Sequence, residues 1–165
     1  MSKPLPGATA AVRLLTAAQV DFELCRYDHD PAQTHFGAEA VARLGLDPER
    51  VFKTLLVQTE GGPQPFAVAL VPVASQLDLK ALAAAVAAKR AALAESAAAE
   101  RITGYVVGGI SPLGQKTRQS TVIDTSAAGF DSIHVSAGRR GLQVRLQPLD
   151  LIRLTDATLA PIARR

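Results

Sequence analysis

The sequence predicts an α+β fold: a twisted, mixed, β-barrel-like sheet with flanking helices. Two observations carry this. Apolar runs of strand length come in pairs, as at 51–58 and 66–73, not in strict alternation with helices. Segments with helical spacing lie between such pairs, and no repeat or linker divides the 165 residues, so a single domain over 1–165 is expected.

Ala8, Val12, Leu15 and Ala18 recur at helical spacing and predict an opening helix over 8–19. Phe22–Tyr27 alternates and reads as a strand. Asp28-His29-Asp30-Pro31 stops it, because Pro cannot extend a ladder. A short helix is expected over 37–44, closed by Gly45. Asp47-Pro48 has the form of an N-cap with Pro at N1. The strands at 51–58 and 66–73 flank Glu60-Gly61-Gly62-Pro63, a hairpin with a longer loop. Asp78 can cap a helix with Leu79, Leu82 and Val86 on one face, and the alanine-rich stretch through Ala99 reads as helix in one or two pieces. Later strands are expected near 104–108, 121–124, 132–136 and 142–146. Pro148 opens a last helix with Leu149, Ile152 and Leu159 facing inward.

Hydrophobic residues make up 48% of the chain, which is ample for a core. Aromatics are 4% with no Trp, which argues against a broad stacking platform for single-stranded nucleic acid. The net charge of +3 tolerates a polyanionic partner without requiring one. A single cysteine, Cys25, excludes an internal disulfide framework and reads as a buried small residue. No run approaches the ~20 apolar residues of a membrane span. Met1–Gly7 lacks the apolar core of a signal peptide. A soluble cytoplasmic protein is expected.

Two segments carry the candidate chemistry. Gly108-Gly109-Ile110-Ser111-Pro112-Leu113-Gly114-Gln115-Lys116 follows an apolar run. Glycines there permit a close ligand and leave N–H groups to meet an anion or a developing oxyanion. The same residues also suit an ordinary β-turn or bulge. The spacing is not that of a P-loop. The second segment is Val51–Val57, apolar on both faces except for Lys53 and Thr54. A lysine in such a strand is costly unless it is paired, lines a wet pocket, or guards an edge. His29, His35 and His134 have no metal-ligand spacing, and no cofactor is called for. Their ordinary reading is surface or hydrogen-bonded residues, with His29 able to orient its loop. Ser111 has no evident base and is not a nucleophile candidate. Tyr27 sits at a strand end, packing or lining a pocket mouth. Arg139 and Arg140 in Gly138-Arg139-Arg140-Gly141, with Lys116, are placed for phosphate contact or simply solvated.

Taken together, these segments resemble the YbaK family of free-standing aminoacyl-tRNA deacylases, from about residue 9 to the C-terminus. The motifs that carry the resemblance are Tyr27-Asp28-His29-Asp30-Pro31, Leu44-Gly45-Leu46-Asp47-Pro48, Val51–Val57, Gln76–Leu82, Thr103-Gly104-Tyr105 with the glycine loop, and Ser136-Ala137-Gly138-Arg139-Arg140-Gly141-Leu142. The resemblance implies removal of cysteine from mischarged Cys-tRNA(Pro), alongside prolyl-tRNA synthetase as partner. It implies Lys53 as the essential lysine, Gly108 as the critical glycine and Tyr27 as the pocket tyrosine. Gly109, Ile110, Ser111 and Pro112 would join Tyr27 in binding substrate. Backbone N–H groups of Gly108 and Gly109 would hold the carbonyl oxygen, and the substrate's own thiol would attack its ester. The chain departs from the family pattern at Gln143, usually acidic, at Ser136-Ala137-Gly138 and at Gln119-Ser120. A deacylase for alanine or serine and a non-catalytic tRNA- or synthetase-binding module are the rival readings.

Overall fold

A computed structural model describes residues 8–165; the reading of Met1–Gly7 lies outside the described residues. Helix α1 (Ala10–Ala18) starts at Thr9, whose hydroxyl accepts from Val12 N–H. Strand β1 (Phe22–Arg26) follows, then α2 (Phe36–Leu44), which ends at Gly45 with φ +64°. Next come β2 (Phe52–Glu60), β3 (Phe66–Pro72), the short β4 (Gln76–Leu77) and α3 (Leu79–Ala85). As the sequence predicts, Asp78 caps α3 by accepting from Ala81 N–H. The rest of the chain gives β5 (Arg90–Leu93), α4 (Ser96–Thr103), β6 (Ser120–Asp124), a 3₁₀ turn, β7 (Ile133–Arg139), β8 (Leu142–Leu146), α5 (Pro148–Thr155), β9 (Thr158–Ala160) and β10 (Ala163–Arg164). No helix among the described residues is long and apolar enough to cross a membrane.

The α+β expectation holds, and the sheets are not closed into a barrel. A five-stranded sheet has the order β5-β2-β3-β6-β9, a three-stranded sheet the order β1-β8-β7, and β10 pairs with β4. Side chains of β2 alternate as expected. Phe52 and Leu56 join the larger core between the sheets and α1, with Leu70, Ile133, Val135 and Leu15. Val57 joins a second core against α3, with Val71, Val122 and Leu82. The strand is therefore covered on both faces.

Five local expectations differ. Asp47-Pro48 forms one turn, with Arg50 N–H donating to Asp47 O at 2.9 Å, because β2 begins too soon for a helix. The alanine-rich stretch is broken by β5, since the free edge of β2 at Val57–Glu60 captures Arg90–Leu93 and overrides alanine's helix propensity. Residues 104–108 are turns rather than a strand. Val107 N–H is taken by the Glu100 carboxylate at 2.8 Å, and positive-φ glycines stand at both ends, Gly104 at +80° and Gly108 at +89°. Helix α5 buries Leu151 and Thr155, whereas Leu149 is 75% exposed and Leu159 lies beyond the helix in β9. Cys25 is half-buried on β1 rather than buried, because β1 is an edge strand.

Asp124 ties the C-terminal segment to β6. Its Oδ1 accepts from Ile162 N–H at 3.0 Å and Ala163 N–H at 2.9 Å, and its Oδ2 from Ser126 N–H at 3.1 Å and the Ser126 hydroxyl at 2.6 Å. Burial alone would raise its pKa. These four donors outweigh burial and hold the carboxyl below its usual range. Asp124→Asn should lower unfolding free energy at pH 7 by about 2–3 kcal/mol, since an amide cannot accept all four. A depressed carboxyl contributes stability above its unfolded pKa of about 3.9 and loses it as pH falls through the lower folded value. Urea titrations at pH 7 and pH 3 should therefore show the gap between variant and wild type closing at the acidic end.

Candidate active site

Just before β2 a parallel bridge, Val51 to His134, joins the two larger sheets. Beyond that bridge β5 pairs with β2 from Val57 onward and Ala94 N–H reaches Leu56 O at 3.0 Å, so Phe52–Leu55 is paired on the β3 side only. A cavity of about 440 Å³ opens in this cleft. Its floor is Val51–Leu56, and its walls include His35, Phe36 and Gly37 at the start of α2, Leu93 and Ala94 at the end of β5, Ser96 of α4, Val107, Gly108 and Ile110 of the glycine loop, and Ser136 and Gln143 of β7 and β8.

Lys53 and Gly108, 55 residues apart in the chain, thus line one cavity. Burial pushes the Lys53 ammonium pKa down, because a low-dielectric wall disfavours the charge. No other lysine, arginine or carboxylate lines the cavity among the described residues. Thr54 Oγ1 and Gln143 Oε1 are buried with no hydrogen-bond partner among the described residues. Both residues belong to the cavity lining. Buried polar atoms normally find partners, so the pair marks where a ligand's polar groups would be satisfied.

The glycine loop is tightly held. Tyr105 donates its hydroxyl to Leu113 O at 2.6 Å, and burial pushes that hydroxyl up to about 12. At Gly108 a Cβ would lie 2.6 Å from the Phe36 ring. At Gly109 it would lie 2.6 Å from Arg139 Cα, so the two backbones touch. Gly109 N–H is not available as an oxyanion donor, since it closes a turn onto Val106 O at 2.8 Å. Gly108 and Ile110 N–H donate to no partner among the described residues, and both residues line the cavity.

The other sequence candidates separate. Ser111 is fully buried, and its hydroxyl accepts from Leu113 N–H at 3.2 Å, a local turn bond outside the cavity lining. Pro112 is also buried and outside it. Tyr27 is half-buried, its N–H bonded to Gly141 O at 3.0 Å; it lies beside α2 without lining the cavity. Burial raises its pKa, with nearby Glu39 adding to the effect. Lys116, Arg139 and Arg140 are exposed. The Arg140 guanidinium stacks over Phe36 at 4.8 Å and donates from Nε to Val107 O at 2.9 Å, which places a cation at the cavity rim. His134 is buried rather than at the surface, and its Nδ1 has no partner among the described residues. Burial, with Arg145 and Arg50 nearby, lowers its pKa.

Sequence reasoning missed Phe36 and Glu39. Nothing in Thr34-His35-Phe36-Gly37 marks the phenylalanine. Glu39 reads as an ordinary first-turn acid. Thr54 does carry a signal in the sequence, a hydroxyl beside Lys53 in an otherwise apolar strand.

The fold is that of an aminoacyl-tRNA editing domain. The aminoacyl-tRNA editing domain model matches residues 29–154. An Enterococcus faecalis protein named as a Cys-tRNA(Pro)/Cys-tRNA(Cys) deacylase, EbsC, is 36% identical over 159 residues, covering 95% of this chain and 94% of its own. Two solved structures share the fold at 22% identity. One is hypothetical protein APE2540, with TM-score 0.82 over 94% of this chain and 100% of that one. The other is described as a trans-editing enzyme for prolyl tRNA synthetase, with TM-score 0.78 over 96% and 99%. The chain belongs to the aminoacyl-tRNA editing domain family, and the YbaK resemblance of its motifs holds.

Proposed function

We propose that this protein is a free-standing deacylase that clears mischarged Cys-tRNA(Pro) in the cytoplasm, acting on the product of prolyl-tRNA synthetase. The observation that carries the reading is the composition of the cavity: one lysine, a Gly108 N–H without a partner among the described residues, no carboxylate, and no hydrogen bond between the lining hydroxyls of Thr54, Ser96 and Ser136 and the lining imidazole of His35. Such a site can bind and polarise an ester, and no base is in contact with its hydroxyls to activate them as nucleophiles. The nucleophile then comes from the substrate. The cysteine thiol adds to its own ester carbonyl, the C–S bond forms as the C–O bond to the ribose breaks, and the thiol proton ends on the departing ribose oxygen. Free tRNA and a cysteine thiolactone result. Gly108 N–H, with Ile110 N–H, holds the carbonyl oxygen as charge develops, and Lys53 adds positive charge beside it. Gathering thiol and carbonyl in one enclosed space supplies the remaining acceleration. Lys116, Arg139 and Arg140 meet tRNA phosphates outside the cavity.

The 36% identity to a protein named for Cys-tRNA(Pro) and Cys-tRNA(Cys) supports this substrate class. A second reading, serine as the amino acid, is favoured by Thr54 and Gln143, whose unpartnered oxygens suit a hydroxyl as well as a thiol. Purified protein should be incubated with tRNA(Pro) carrying cysteine, serine or alanine, with and without prolyl-tRNA synthetase. Fastest release of cysteine, as thiolactone, supports the reading. Faster release of serine replaces it, and no release of any would leave a binding module.

A further inference from the structure

Glu39 is a buried carboxylate that the proposed chemistry does not use. Its side chain is 3% exposed, and neither oxygen serves its own helix. Oε1 meets His29 Nδ1 at 2.6 Å, and Oε2 accepts from Asp30 N–H at 2.8 Å. The loop after β1 is therefore tied to the first turn of α2. The His29 ring packs on Phe36 at 5.9 Å, and Phe36 precedes Glu39 by three positions, on the same helix face. The Phe36 ring in turn fills the space where a Cβ on Gly108 would stand, 2.6–2.7 Å from three of its carbons, and lines the cavity. A continuous run of contacts thus connects the Glu39 carboxylate to the wall over Gly108.

We propose that Glu39 is a positioning residue: by tying His29 and Asp30 to α2 it holds the Phe36 ring as the cavity wall over Gly108, and so limits the size of amino acid that the cavity admits. This rests on reading the cavity as the aminoacyl site. The ionised carboxylate is what makes the tie. Burial acts to raise its pKa, but the bonds from His29 and Asp30 N–H outweigh burial and hold it below the ordinary carboxylate range. With the amide of Glu39→Gln, only one of the two acceptor positions survives, and the ring is freed to move. A role confined to stability would lower Tm and leave selectivity untouched.

The test uses non-hydrolysable adenosine 3′-amides bearing serine or leucine, titrated into the full-length protein. The wild type should bind the serine amide at least about tenfold tighter than the leucine amide. Glu39→Gln should reduce that ratio to about threefold or less, mainly through tighter leucine binding. The Gly108 amide resonance should shift in Glu39→Gln without ligand, because the Phe36 ring current has moved. Glu39→Asp, which keeps the charge, should recover part of the ratio. If Glu39→Gln does not fold, His29→Gln removes the ring that touches Phe36, spares the Asp30 bond, and carries the same expectation. An unchanged ratio in a variant that still binds overturns the positioning role. A wild type that binds neither amide overturns the aminoacyl reading of the cavity, and this proposal with it.

Discussion

Lys53→Met is expected to lower kcat/KM for Cys-tRNA(Pro) deacylation by about 10²–10³-fold while leaving Tm at pH 7 unchanged or raised. The activity loss follows from the cavity's charge. Lys53 is its only cationic lysine or arginine among the described residues, and removing one preorganised group that faces a developing oxyanion has an effect of roughly this size. The stability expectation follows from the sign of the pKa shift. Burial lowers the folded pKa of Lys53 below its unfolded value of about 10.4. A group depressed in this way contributes stability above its unfolded pKa and loses it as pH falls through the folded one. At pH 7 the Lys53 charge therefore opposes folding, and methionine, of similar length and uncharged, removes that opposition. Single-turnover assays and thermal melts on one preparation check both halves. A variant that melts lower and loses activity in parallel would show a structural lysine, and one with full activity would end its role in the chemistry.

The separation of binding from stability at Lys53 also explains what could be read from the sequence. A lysine in a strand apolar on both faces is a local conflict, and the glycine run after Val107 is another. Both segments line the one cavity, because a site tolerates what a core does not. The strands with alternating or continuous apolar runs, β2, β3, β7 and β8, were legible for the same reason as the cores: their side chains face packed neighbours. Where tertiary pairing decides, local preference failed. Ala91 and Ala92 have helical propensity, yet the open edge of β2 takes them into β5. Tyr105-Val106-Val107 looks like a strand, yet Tyr105 and Val107 N–H go to the side chains of Thr103 and Glu100 in α4. Phe36 and Glu39 were illegible because their significance is entirely non-local. One acquires it by meeting Gly108, the other by reaching back to residues 29 and 30. The two N–H groups expected at the carbonyl, Gly108 and Gly109, separate for a related reason. Adjacent glycines look equivalent in sequence, but a turn onto Val106 occupies Gly109 N–H and leaves Gly108.

Gly108→Ala is the sharpest consequence of that difference. It should lower kcat/KM by about a hundredfold or more and unfolding free energy by about 2–4 kcal/mol, from two separable causes. The backbone at Gly108 has φ +89°, where an L side chain is strained by about 1–2 kcal/mol. The added methyl also lies 2.6–2.7 Å from the Phe36 ring, so either the ring or the loop must shift. A displacement of either by about 1 Å suffices for the activity loss, because both the cavity wall and the N–H beside the ester move. Phe36→Ala in the same chain separates the causes. With the ring gone the methyl has space, and the double variant should be more stable than the sum of the two single losses. Its activity should stay low, because the wall is missing and the loop remains strained. Denaturant titration of the four proteins measures the coupling, and deacylation of Cys-tRNA(Pro) measures the rest. Additive stability losses would mean that the ring yields freely to the methyl. Near-normal turnover by Gly108→Ala would remove the glycine loop from the chemistry, leaving Lys53 alone to polarise the ester.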